Sequence, residues 1–95
     1  MSVLWSPRAQ ANLRSILTYI AKDDPEAARK LVAQIIQSVE GTLADSPKAG
    51  RPGRVEGTRE WIAHKRYIVV YRVSSAGQVQ VATVRHTSTR WPRVI

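Results

Sequence analysis

Apolar positions fall into two rhythms along this 95-residue chain. In the first half they recur every three or four residues. Leu13, Ile16, Leu17 and Ile20 form one stripe; Ala28, Leu31, Val32, Ile35, Ile36, Val39 and Leu43 form a second. That spacing is the period of a helix with one apolar face. Each stripe opens on a start signal. Ser6 can cap a helix whose first residue is Pro7, where the missing N–H would go unused anyway. Asp24 and Pro25 repeat the device, with Glu26 facing the positive end of the helix dipole. So short a link makes the two helices an antiparallel hairpin. Ahead of them, Val3-Leu4-Trp5 predicts a short strand.

The segment "ADSPKAGRPGRVEG", 44–57, breaks the pattern with two prolines and three glycines and predicts a loop. Beyond it the period drops to two. "TREWIAH" alternates through Trp61 and Ala63. "YIVVYRV", Tyr67 to Val73, is β-branched and aromatic on both faces, the mark of a central strand. "SSAGQ" predicts a turn with Gly77 at positive φ, and "VQVATVRH", Val79 to His86, a further strand. Pro92 in the tail "TSTRWPRVI" argues against a long helix there. The expected fold is α+β in the order β-α-α-β-β-β, a helical hairpin packed on a small antiparallel sheet, with residues 1–95 as a single domain.

Charge sharpens this picture. Residues 1–45 carry five Lys or Arg against five Asp or Glu, which cancel; residues 46–95 carry ten against only Glu56 and Glu60. The whole net charge of +8 therefore sits in the second half, and eight of those ten cations are Arg. Arginine offers a planar fork of donors suited to carboxylate and phosphate, so an acidic protein or a nucleic acid is the expected partner. The chain has no cysteine, which fits a reducing cytoplasm and leaves no thiolate metal site. No apolar run approaches the roughly 20 residues of a membrane helix. "MSVLWSPRAQ" lacks the form of a signal peptide.

Three segments resemble the RelE/ParE superfamily of bacterial toxins: "GRPGRVEGTREW" at 50–61, "YIVVYRV" at 67–73 and "VRHTSTRWP" at 84–92. "WSPRAQANLRSILTYIAKDDPEAA" looks like that family's opening strand, first helix and Asp-Pro-capped second helix, so the likeness covers almost the whole chain. It is closer to the ParE branch, whose members poison DNA gyrase, than to the RelE branch, which cuts messenger RNA on the ribosome. Both branches are silenced by an antitoxin with an extended acidic segment. The resemblance thus implies a toxin that acts without a cofactor, with an antitoxin and DNA gyrase as partners; the alternative target is the ribosome with its mRNA.

The candidate residues follow from these two chemistries. RNA cleavage needs a base, an acid and stabilisation of the phosphorane charge. Arg59 and Arg85 match the positions that clamp phosphate in RelE-like toxins. His86 can serve as acid or base, and Glu56 or Glu60 as a base if desolvated. Against this, alternation puts Arg85 and His86 on opposite faces unless the strand ends or bulges between them. No tyrosine matches the one RelE-like nucleases often carry near the C-terminus. Tyr67 and Tyr71 read as core. His86 reads first as a structural histidine at a strand end, bonded to a backbone carbonyl, and His64 as a turn or edge residue. Neither has metal-ligand neighbours at suitable spacing, so no metal is expected. "GRPG" starts no helix and so cradles no phosphate.

Inhibition by binding needs a surface instead. Arg51, Arg54, Arg59, Arg85 and Arg90 supply a cationic rim, and Trp91 beside Arg90 an anchor, unless that indole folds back onto the sheet. Trp5 and Trp61 belong to the core. For the antitoxin, a groove bearing Leu13, Leu17 and Ile20, or the face with Ile35 and Val39, would take apolar side chains while a strand adds at a sheet edge. Plain helix–sheet packing competes for the same residues. A basic nucleic-acid-binding module is a third reading, weakened by the lack of exposed aromatics among the cations.

Overall fold

The computed structural model describes residues 3–88. Strand β1 (Leu4–Trp5) leads into helix α1 (Pro7–Ala21) and helix α2 (Pro25–Gln37), which runs on as a π-helical segment (Ser38–Leu43). Strands β2 (Arg51–Pro52), β3 (Arg59–His64), β4 (Tyr67–Val73) and β5 (Val79–His86) follow. They form one five-stranded sheet in the order β1-β5-β4-β3-β2. The architecture is α+β, as the periodicities require, with two additions. A two-residue strand, β2, sits inside the expected loop and pairs antiparallel with β3. The first strand pairs parallel with β5, so the sheet is mixed. The helical hairpin and the meander together form the crossover that a parallel pair needs.

The helix starts are the expected ones. Ser6 Oγ accepts from the Ala9 N–H at 3.0 Å, and Asp24 Oδ1 from the Ala27 N–H at 3.1 Å. The second apolar stripe explains the π-helical segment. Ile35, Val39 and Leu43 are spaced by four, which overshoots an α-helical turn by about 40° at each step. A wider turn limits that drift, and all three side chains stay fully buried against the sheet.

The core lies between this hairpin and one face of the sheet. It holds Ala9, Ile35, Val39 and Leu43 from the helices with Val69, Tyr71, Val79, Val81 and Val84 from the strands. β4 is buried from Tyr67 through Tyr71, which makes it the central strand that its two-sided apolar run predicted. Trp5 and Trp61 are packed against the core but only half-buried. Their indole N–H groups reach out to the second helical segment, Trp5 to Glu40 at 3.0 Å and Trp61 to Ser38 at 2.8 Å.

Two bulges set which side chain faces which way. Val70 pairs with Thr83 while Tyr71 pairs with Val81, so Ala82 is an extra residue in β5. Ala63 is likewise extra in β3, between the Ile62–Ile68 and His64–Tyr67 pairs. A bulge reverses the alternation beyond it. Hence Val79 and Val81 face the helices, and so do Val84 and His86, while Arg85 turns to the opposite, outer face. The first helix holds the bulge in place. Ser6 Oγ donates to the Ala82 carbonyl at 2.7 Å; Asn12 Oδ1 accepts from Thr83 Oγ1 at 2.7 Å and from the Val84 N–H at 3.0 Å. Among the described residues, no helix is long and apolar enough to cross a membrane.

Candidate functional site

The Gly- and Arg-rich loop is tied to the sheet by one tyrosine and one arginine. Tyr71 is fully buried on the helix-covered face. Its hydroxyl donates to the Pro47 carbonyl at 2.7 Å and accepts from the Gly50 N–H at 3.0 Å. Burial pushes the Tyr71 pKa above the usual tyrosine value. Gly50 is obligatory here, because a Cβ would stand 2.5 Å from that hydroxyl and 2.7 Å from the Glu60 carbonyl. Arg59 closes the same junction, donating from Nη1 to the Gly50 carbonyl at 2.7 Å and to Lys48 O at 3.3 Å.

From this anchor the chain passes to the outer face. Arg51 lies across the β2–β3 pair from Glu60. Glu60 is only 2 % exposed, yet its carboxylate is well supplied with donors. Oε1 accepts from Arg51 Nε at 3.2 Å and Nη2 at 3.0 Å, and Oε2 accepts from the Arg54 main-chain N–H at 3.1 Å. The turn that brings Arg54 round is closed by Gly53 N–H to Thr58 O at 2.7 Å and relies on Gly57 at φ 82°. Arg85, opposite Ile68 on the same outer face, is 9 % exposed. Burial lowers its pKa from the ordinary arginine value, repulsion from Arg54 adds to this, and Glu60 opposes it. Arg51, Arg54 and Arg85 thus gather around one buried carboxylate.

A second feature lies at the other end of the sheet, on the helix side. A groove of about 300 Å³ runs between α1 and the ends of β4 and β5, lined by Asn12, Ser15, Ile16, Tyr19, Tyr67, Val84 and His86. Tyr19 is 74 % exposed at its rim. His86 packs edge-on against Tyr67 with centroids 5.3 Å apart, and its Nδ1 accepts from the Ser88 N–H at 3.1 Å. That bond places the hydrogen of a neutral ring on Nε2. The partners of His86 are therefore the main-chain N–H and, at 2.6 Å, the hydroxyl of Ser88, whereas the sequence suggested a carbonyl. His64 ends β3 at the turn into β4, where its Nδ1 accepts from the Arg66 N–H at 3.1 Å. Burial and the adjacent Lys65 and Arg66 lower its pKa.

The structure does not bring the nuclease candidates together. Arg59 and His86 are on the helix side and Arg85 is on the outer face. Arg59 and His86 are themselves four residues apart along β4, opposite Tyr71 and Tyr67, or about 13 Å. Glu60 is engaged by Arg51 and the Arg54 main chain; Glu56 is exposed in the turn. Among the described residues no group of His, Cys, Asp or Glu is arranged to hold a metal.

Of the antitoxin candidates, Ile35 and Val39 are fully enclosed in the core and offer no surface to a partner. The π-helical segment keeps Val39 in line with Ile35, so this face is spent on the core. Leu13, Leu17 and Ile20 are half-buried on α1. Arg90 and Trp91 lie outside the described residues. Sequence reasoning passed over the anchoring role of Glu60. The available signal was a carboxylate on an alternating strand beside a loop of arginines. It also missed Tyr19, whose stripe with Asn12 and Ile16 is too mixed in polarity to stand out.

Residues 3–91 match the model of the ParE toxin of the type II toxin–antitoxin system, parDE. The chain belongs to that family, within the RelE/ParE superfamily of toxins. It is 44% identical over 94 residues to a Sinorhizobium fredii protein named as a toxin, Y4kP, covering 98% of this chain and 95% of that one. Toxin RelE2 of Caulobacter vibrioides is 30% identical over 86 residues, with 90% and 94% covered. A solved chain of the chromosomal ParDE system from P. aeruginosa superposes with a TM-score of 0.79 at 29% identity, covering 90% of this chain and 95% of that one. The RelBE2 toxin–antitoxin complex from Mycobacterium tuberculosis shares the fold, with a TM-score of 0.67 at 22% identity and the same coverage.

Proposed function

We propose that this toxin arrests growth in the cytoplasm by docking on DNA gyrase, without a chemical step of its own, and that an acidic antitoxin neutralises it. The observation that carries the reading is the separation of the candidate catalytic groups. Arg59 and Arg85 are on opposite faces of the sheet, and the one buried carboxylate among the cations is already bound by donors. Such a surface suits recognition. Arg51 and Arg54 form the target face, with Arg59 holding the loop that carries them and the buried Arg85 backing it from β5; Arg90 and Trp91, proposed for the same partner, lie outside the described residues. The antitoxin segment lies along α1, over Leu13, Leu17 and Ile20 and the Tyr19 groove, where apolar surface adjoins Arg14 and Lys22. The kinship to the P. aeruginosa ParDE chain supports this reading.

The RelE-type alternative, cleavage of mRNA on the ribosome, draws support from the 30% identity to the Caulobacter toxin named RelE2. The two are separated by a supercoiling assay with purified toxin and primer extension on mRNA from expressing cells. Docking on gyrase predicts inhibited supercoiling or accumulated cleaved DNA, with intact transcripts. Cuts in codon register with gyrase untouched would establish the alternative.

A further inference from the structure

Glu60 is one of only two carboxylates in the second half of the chain, and its side chain is 1% exposed. Burying a carboxylate is costly unless charged or polar donors surround it. Here the donors come from β2, a strand of only two residues, and from the turn that follows it. Glu60 thus fixes an edge that has little ladder of its own.

The consequence is largest for Arg51. Its guanidinium gives Nε and Nη2 to Glu60, yet the side chain is 54% exposed. No described residue takes the Nη1 hydrogens, which leaves one edge of the fork for a partner. An arginine held from behind binds with less ordering cost than a mobile one. Beside it on the same face, two residues along from Glu60, Ile62 is 53% exposed. An immobilised Arg next to an exposed aliphatic side chain is the composition of a protein–protein contact. A phosphate contact would draw on the cations alone and make no use of Ile62.

We propose that Glu60 is the positioning residue of the target-binding face: it holds Arg51 so that the outer edge of its guanidinium takes a carboxylate of the target protein, with Ile62 as the apolar contact alongside. This rests on the reading of a docking toxin given above. It does not depend on which protein is docked upon.

The test is a double-mutant cycle on growth arrest after induction, run beside the supercoiling assay. Glu60→Gln and Arg51→Ala are each expected to lower potency by about tenfold or more, and the double variant to lose no more than the worse single. Thermal melting and capture by the antitoxin report whether each variant is folded. Arg51→Lys, on an exposed side chain, keeps the fold and is expected to lose a comparable factor, because an ammonium cannot bridge both carboxylates as a fork does. Arg29→Ala, which removes a charge from an exposed pair with Glu26, serves as the control and leaves potency unchanged. The proposal is overturned if Arg51→Lys stays within about twofold of the parent, or if the losses at 51 and 60 multiply as independent sites do. A parent chain that does not slow growth overturns it as well. Duplex DNA binding that falls in step with potency would assign the contact to a phosphate and overturn the carboxylate. If the cycle behaves as expected while supercoiling is untouched, the role of Glu60 stands and the gyrase reading fails.

Discussion

The two faces of the sheet are made from the same five strands but held by different forces. The helix-covered face is closed by apolar packing and neutral hydrogen bonds: Val69, Tyr71 and Val81 against Ile35, Val39 and Leu43, with the Tyr71 hydroxyl tying down Gly50 and Pro47. The outer face is organised by charge, with Arg51 and the Arg54 main chain on a buried Glu60 and Arg85 nearby. The lesson is that strand alternation alone does not allot residues to these faces. One extra residue, Ala82, decides that Arg85 joins the charged face and His86 the apolar one.

Shifting the strand beyond it by one residue should therefore do the most damage. Deletion of Val84, a buried core residue on the far side of the bulge, would drive Arg85 under the helices or tear the end of β5 from β4, and the chain should fail to fold cooperatively in urea. A cooperative transition close to the parent's would break the comparison. Next, Ile35→Ala should cost roughly 3 kcal/mol in the unfolding free energy, because it empties a fully buried site. A stability near the parent's, with antitoxin binding lost, would return Ile35 to the surface. Tyr71→Phe should cost about 2 kcal/mol by leaving the Gly50 N–H and Pro47 carbonyl without their partner. It should also loosen the Arg51–Arg54 loop toward proteolysis.

The smallest effect concerns His64. Its pKa is lowered from 6.5 in the folded state, so the unfolded chain binds more protons below that pH. Stability is full above about pH 6.5 and falls as the pH drops through the window beneath it. Urea midpoints at about pH 5 and about pH 7.5 should differ in that direction, and His64→Gln should shrink the difference. A midpoint that rises on acidification would show the sign to be wrong.

Much of this was legible in the residues. Ser6-Pro7 and Asp24-Pro25 announced both helices because caps are local chemistry. Tyr67 to Val73 announced the central strand because burial on both faces leaves an unbroken apolar run. Strand β2 was not legible, since two residues carry no period, and alternation is silent about whether a neighbour runs parallel. The bulge at Ala82 is held by Ser6 and Asn12, 76 and more than 70 residues away in sequence, so no local pattern marks it. For the candidate site, the arginine excess pointed to Arg51, Arg54 and Arg85. Their gathering on Glu60 and the separation of Arg59 required the register of the strands.

The most direct measurement crosses the two faces with two readouts: potency against growth and affinity for the antitoxin, each measured on Arg51→Ala and on Tyr19→Ala. The account predicts a clean exchange. Arg51→Ala should lose about tenfold in potency while antitoxin binding holds within about twofold, and Tyr19→Ala should do the reverse. Variants that lose both properties together, or in the opposite order, would contradict the division of labour between the faces.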